Sequence, residues 1–173
     1  MRPGRMICGT VALLALGAFA KADAPAHTES TITAPEVEVR SGPSPKFYPT
    51  TKLHQGDRVR IVEHKEGDWL AIEPPAGSFS WINQRMIDFK EGSPTALVMA
   101  SDTPVLIGST LTNEEPSVQA LVKLQRGTQL VILSRRMAYK SDSSAWLPIQ
   151  PTPQEVRYIP ASAVAQPLSS LED

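Results

Sequence analysis

The sequence predicts an all-β protein made of two small modules of one plan, and three observations carry that expectation. A seven-residue phrase occurs twice, as Trp69-Leu70-Ala71-Ile72-Glu73-Pro74-Pro75 and, 77 positions later, as Trp146-Leu147-Pro148-Ile149-Gln150-Pro151-Thr152. Each Trp is followed twelve residues on by an aromatic-Ile pair, Trp81-Ile82 and Tyr158-Ile159. Two motifs kept at the same internal spacing mark a duplicated unit. The chain also holds 16 prolines and 10 glycines, and beyond its N-terminus the apolar stretches are short, which is the punctuation of strands and turns rather than long helices.

Residues 1–22 read as a signal peptide. Arg2 and Arg5 form a basic start, residues 7–20 are uncharged and mostly apolar, and Ala18, Ala20, Ala22 and Ala24 offer A-x-A cleavage sites. Cleavage after Ala20 or Ala22 is expected, because a cut after Ala24 places Pro25 just past the scissile bond. An apolar run of about 14 residues is shorter than the roughly 20 a spanning helix needs. The expectation is an exported protein, periplasmic or extracellular, with no stable membrane insertion after cleavage. Cys8, the sole cysteine, precedes most of the apolar run, unlike the cysteine of a lipoprotein signal. The remaining chain then has no disulfide and no thiolate for catalysis or metal binding. Cleavage removes Arg2, Arg5 and Lys21 from 17 basic residues and leaves all 18 acidic ones, a formal charge of −4. The basic residues are scattered, which excludes a nucleic-acid partner, since such binding needs concentrated basic surface.

Residues 23–34 are polar, lack periodicity and read as a flexible spacer. The first module is expected over residues 35–89. Val37 and Val39 alternate with Glu36, Glu38 and Arg40 as in a half-buried strand, which the prolines of Ser41-Gly42-Pro43-Ser44-Pro45 stop. A short strand enters the Gln55-Gly56-Asp57 turn, and the next carries Val59 and Ile61 inward. After Glu66-Gly67-Asp68, the Trp phrase forms a strand with Leu70 and Ile72 facing the core. Residues 74–78 read as a hairpin loop that returns residues 79–82 onto it, and residues 83–87 as a short helical turn closing the core with Met86 or Ile87.

Residues 90–98 read as a linker, residues 99–166 as the second module and residues 167–173 as a tail. Val105 and Ile107 take the places of Val37 and Val39 at an offset of 68, Leu130 and Ile132 those of Val59 and Ile61 at 71, and the last hairpin follows at 77. The offset grows only where loops are expected, at residues 108–118 and 135–145, and loops accept insertions that strands do not.

Each copy resembles a bacterial SH3-like (SH3b) domain. Val37-Glu38-Val39-Arg40-Ser41-Gly42-Pro43-Ser44 resembles the family's opening V-x-V-R-S-G-P-S, residues 53–61 its L-x-x-G-x-x-V-x-V, and Gly67-Asp68-Trp69 its G-x-W. Trp81-Ile82 resembles its G-W-V with Ser80 in place of the glycine. The second copy diverges: Leu106-Ile107-Gly108-Ser109 lacks the opening Arg and the Gly-Pro, while Tyr158-Ile159-Pro160-Ala161-Ser162-Ala163-Val164 is similar to the close of eukaryotic SH3 domains. The resemblance implies two small, partly open β-barrels in tandem.

Among candidate contact residues, Trp69, Trp81, Trp146 and Tyr158 either line a ligand face or pack between modules. Phe47-Tyr48 lies in a proline-held loop, where Tyr48 stacks on a ligand or plugs the barrel mouth. Arg40 forks onto a carboxylate or pins its own loop. His27, His54 and His64 lack ligand spacing, so no metal and no cofactor are expected. No G-x-S-x-G elbow occurs and paired carboxylates sit in loops, so no enzyme is expected. The resemblance implies binding to cell-envelope material, peptidoglycan or its peptide stems, through Arg40, Tyr48, Trp69, Trp81, Trp146 and Tyr158. The rival is an adaptor that docks on an envelope protein by adding an edge strand.

Overall fold

A computed structural model describes residues 28–90, 92–112, 120–134, 139–141 and 144–165. The expected signal peptide, the start of the spacer and the tail at residues 167–173 lie outside them. The described chain is all β apart from two single 3-10 turns, and its antiparallel sheets curl into two open, barrel-like halves.

The first six-stranded sheet runs β1-β4-β5-β14-β2-β3, with β1 at Thr28–Thr31, β2 at Glu36–Arg40, β3 at Pro49–His54, β4 at Arg58–Lys65, β5 at Trp69–Ile72 and β14 at Arg157–Pro160. The second half holds a five-stranded sheet, β10-β9-β6-β13-β12, from β6 at Ser80–Asn83, β9 at Thr103–Ile107, β10 at Ala120–Leu124, β12 at Tyr139–Ser141 and β13 at Ser144–Ile149. A three-stranded sheet, β11-β8-β7, joins β7 at Ile87–Asp88, β8 at Thr95–Val98 and β11 at Gln129–Val131.

The expected hairpin between the Trp phrase and residues 79–82 does not form. β5 pairs with β14, and β6 pairs with β13 and β9, so each barrel is closed by the strand that follows the other half's Trp phrase. The two closures share one register. Trp69, Leu70, Ala71 and Ile72 oppose Pro160, Ile159, Tyr158 and Arg157, and Trp146, Leu147, Pro148 and Ile149 oppose Asn83, Ile82, Trp81 and Ser80. Alternation sends Ile159 and Ile82 inward in either arrangement, so local pattern does not distinguish own-strand from exchanged closure. The cores record the exchange. Ile159 and Val164 pack with Val39, Leu53, Val59, Leu70 and Ile72, whereas Ile82 and Ile87 pack with Val105, Leu124, Leu130, Leu147 and Ile149.

Two strands replace predicted irregular segments. β1 lies in the expected spacer and β8 in the expected linker. β1 exposes most of its side chains and is followed by the buried Ile32, so four residues show no alternation. β8 buries Ala96 and Val98 but exposes Leu97, and Met99 beyond it is exposed as well, so apolar residues on both faces hide the period. Their backbones do equivalent work: Ile32 N–H donates to Asp57 O at 2.9 Å and Val98 N–H to Thr128 O at 3.0 Å.

The pairing also corrects the alignment of β2 with β9. Arg40 opposes Tyr158 and Leu106 opposes Trp81, which sets the offset at 66 rather than 68 and makes Val105, not Ile107, the counterpart of Val39. Both of those valines are core residues. Residues 84–86 form the expected turn, with Ile87 buried and Met86 exposed.

Candidate functional site

The six predicted contact residues do not share one surface. Arg40 is committed to its own loop: its guanidinium donates to Pro45 O at 2.9 Å and Phe47 O at 2.6 Å, and it pairs with Glu38. The loop tightens further where the Phe47 ring occupies the space a Cβ on Gly42 would need, 2.5 Å away. Tyr48 is half-buried and donates its hydroxyl to Ile107 O at 2.7 Å, a bond between the two halves. Trp69 is 9% exposed. Tyr158 is half-buried beside Arg40 and Ala71 on the outer side of β14.

Trp81 and Trp146 do come together. Trp81 is 0% exposed, meets Phe79 edge-on with ring centroids 5.1 Å apart at 85°, and packs with Leu106. Trp146 and Tyr139, both half-buried, lie against this cluster and directly oppose each other on β13 and β12. Sequence reasoning missed Tyr139 because residues 135–145 read as an inserted loop. The available signal was a Tyr seven residues before a Trp. Phe79 covers Gly108, where a Cβ would lie 2.2 Å from the ring. Gly108 is the counterpart of Gly42 at the corrected offset of 66.

Beneath the exchanged strands lies a buried polar cluster. Arg157 is 0% and Glu155 2% exposed. The Arg157 guanidinium donates to Glu155 at 3.1 Å, to Ser80 Oγ at 3.0 Å and to Val156 O at 3.0 Å. Ser80 Oγ donates to Glu155, which also accepts the Thr152 N–H at 2.8 Å. Burial pushes the Arg157 guanidinium below its usual range, and the Glu155 carboxylate beside it offsets only part of that effect. Ser80 and Arg157 are counterparts at the 77 offset, so a residue here meets its own mate across the exchange. This arrangement holds the two halves together and offers no exposed reactive group.

A concavity of about 920 Å³ opens where the two connections cross, lined by Val62, Pro74, Pro75, Leu133, Pro151 and Pro153 among others. Its carboxylates are engaged, Glu73 with Arg60 at 3.5 Å and Glu155 with Arg157. Among the described residues, no three His, Cys, Asp or Glu side chains converge as a metal site, and no helix is long and apolar enough to cross a membrane.

In comparisons with known proteins, no family model and no solved structure matches the chain. The chain is 25% identical over 127 residues to the "Putative N-acetylmuramoyl-L-alanine amidase YrvJ" of Bacillus subtilis (strain 168), a match that covers 72% of this chain and 23% of that relative. The chain therefore spans about a quarter of the length of the relative it matches.

Proposed function

We propose that this chain is an exported, non-catalytic binding protein that attaches to the cell-wall polymer through two SH3b-like modules with exchanged closing strands. The observation that carries the reading is the 127-residue similarity to a protein described as a muramoyl-alanine amidase. That relative is named as a putative N-acetylmuramoyl-L-alanine amidase, and this chain resembles only about a quarter of it. The reading gains support from the opening motif, whose Arg40 shapes the Gly42 loop, and from the N-terminal signal pattern. The carboxylates nearest the concavity are paired with guanidinium groups rather than set to move a proton.

Co-sedimentation with purified sacculi tests it. The protein is expected in the pellet, with no soluble fragments released from the wall. A protein left wholly in the supernatant sinks the wall reading, and released fragments sink the non-catalytic one.

A further inference from the structure

We infer that the outer face of the second barrel carries a sugar-binding row, formed by Tyr139, Trp146 and Asn83. This inference rests on the wall reading above and names the part of the polymer that is recognised, the glycan strand rather than the peptide.

The register places the three residues in line across adjacent strands: Tyr139 opposes Trp146, and Trp146 opposes Asn83. Leu147 and Ile149 face the core, so alternation turns Trp146 outward, and Ile82 does the same for Asn83. Neighbouring strands lie about 4.8 Å apart, which makes the row roughly 10 Å long, about the length of a disaccharide. Each position suits a sugar. An aromatic ring has a negative face, and the axial C–H groups of a pyranose carry partial positive charge, so ring faces stack on sugar faces. Asn83 Oδ1 accepts the Arg85 N–H at 3.0 Å, which orients the amide with its NH2 as the group to meet a hydroxyl or acetamide oxygen.

The rings are also held before any ligand arrives. Trp146 and Tyr139 pack against the buried cluster of Phe79, Trp81 and Leu106, in which Phe79 meets Trp81 edge-on. A preset shelf loses little freedom on binding. The row bears no formal charge, which fits a neutral pyranose chain better than a peptide stem with carboxylates and amines. The equivalent row on the first barrel is Lys65, Trp69 and Pro160. There the lysine pairs with Glu63 at 2.6 Å and the Trp is nearly covered, so the shelf is not a by-product of the fold.

The test uses the full chain, an N-acetylglucosamine oligomer and, separately, free stem peptides. Trp69 and Trp81 are buried, so a change in Trp emission on adding the oligomer reports Trp146. The oligomer is expected to shift that emission and the peptides are not. Trp146→Ala and Tyr139→Ser are each expected to weaken oligomer binding about tenfold or more, with Tyr139→Phe restoring it. Circular dichroism checks the fold, and the half-exposed Tyr139 pair decides the matter if Trp146→Ala does not fold. Peptide binding without oligomer binding, or full oligomer binding by Tyr139→Ser, overturns the row. Retention on sacculi by the unaltered protein together with no response to the oligomer overturns the row and leaves the wall reading standing. No retention on sacculi overturns the wall reading and this row with it.

Discussion

The outer faces of the two barrels share one backbone register and carry opposite surfaces. On the first, Tyr158 lies against Arg40, which is spent on holding its own loop, and the Phe47 ring from that loop covers Gly42. On the second, the counterparts are Trp81 and Leu106, and the ring over Gly108 is Phe79, delivered by the connection that crosses between halves. The repeated Trp follows suit, buried as Trp69 and half-buried as Trp146. One backbone solution therefore supports two uses of an aromatic residue. The first face buries its Trp, and the second leaves its Trp half-buried against a cluster that holds another Trp.

If the halves are as interlocked as their cores indicate, the largest loss comes from the residue on which the exchange closes. Arg157→Ala leaves Glu155 charged and buried without its guanidinium, a defect that costs about 3–5 kcal/mol. Urea unfolding measures it, and a loss no larger than that of Ser80→Ala shows the cluster to be passive. Next come the closing isoleucines. Ile159→Ala and Ile82→Ala each empty part of a different core and are expected to cost about 2–5 kcal/mol. Both are expected to lower one common unfolding transition, seen alike by Trp emission and circular dichroism. Two separate transitions, each moved by only one substitution, break the picture of interdependent halves.

The smallest effect sharpens the contrast at the surface. Glu36 on β2 accepts a hydrogen bond from Lys52 at 2.6 Å, which holds its carboxyl below the ordinary value and raises the lysine. A depressed carboxylate contributes stability that is present above its unfolded pKa and lost as the pH falls through the folded one. The small advantage of the unaltered protein over Glu36→Gln is thus expected to be constant near neutrality and to fade in acid. An advantage that persists undiminished in strong acid removes that assignment.

Much of this was legible in the sequence because β structure writes its faces at period two. Leu70, Ile72, Leu147 and Ile149 were recognisable as core from alternation alone, and they are buried. The exchange was not legible, since Ser80-Trp81-Ile82 and Arg157-Tyr158-Ile159 present the same inward isoleucine to either slot. β1 escaped notice because its side chains are mostly exposed, and β8 because apolar residues on both its faces hide the period. At the site, Trp81 and Trp146 were visible as aromatics, but no local pattern says which ring is covered by the other half. Tyr139 stayed hidden because it follows a stretch whose length differs between the copies, where alignment by offset fails.

The crossing connections carry a consequence for the protein's response to proteolysis. A single cut within residues 73–79 separates the chain into two pieces: the C-terminal piece holds every strand of the second barrel, and the N-terminal piece lacks only β14 of the first. The N-terminal fragment keeps β1 to β5 and gives up β6, which remains built into the other half beside β9 and β13, while β14 stays clasped between β5 and β2. The nicked protein is expected to stay assembled, because the C-terminal piece leaves β14 inserted between two strands of the N-terminal one.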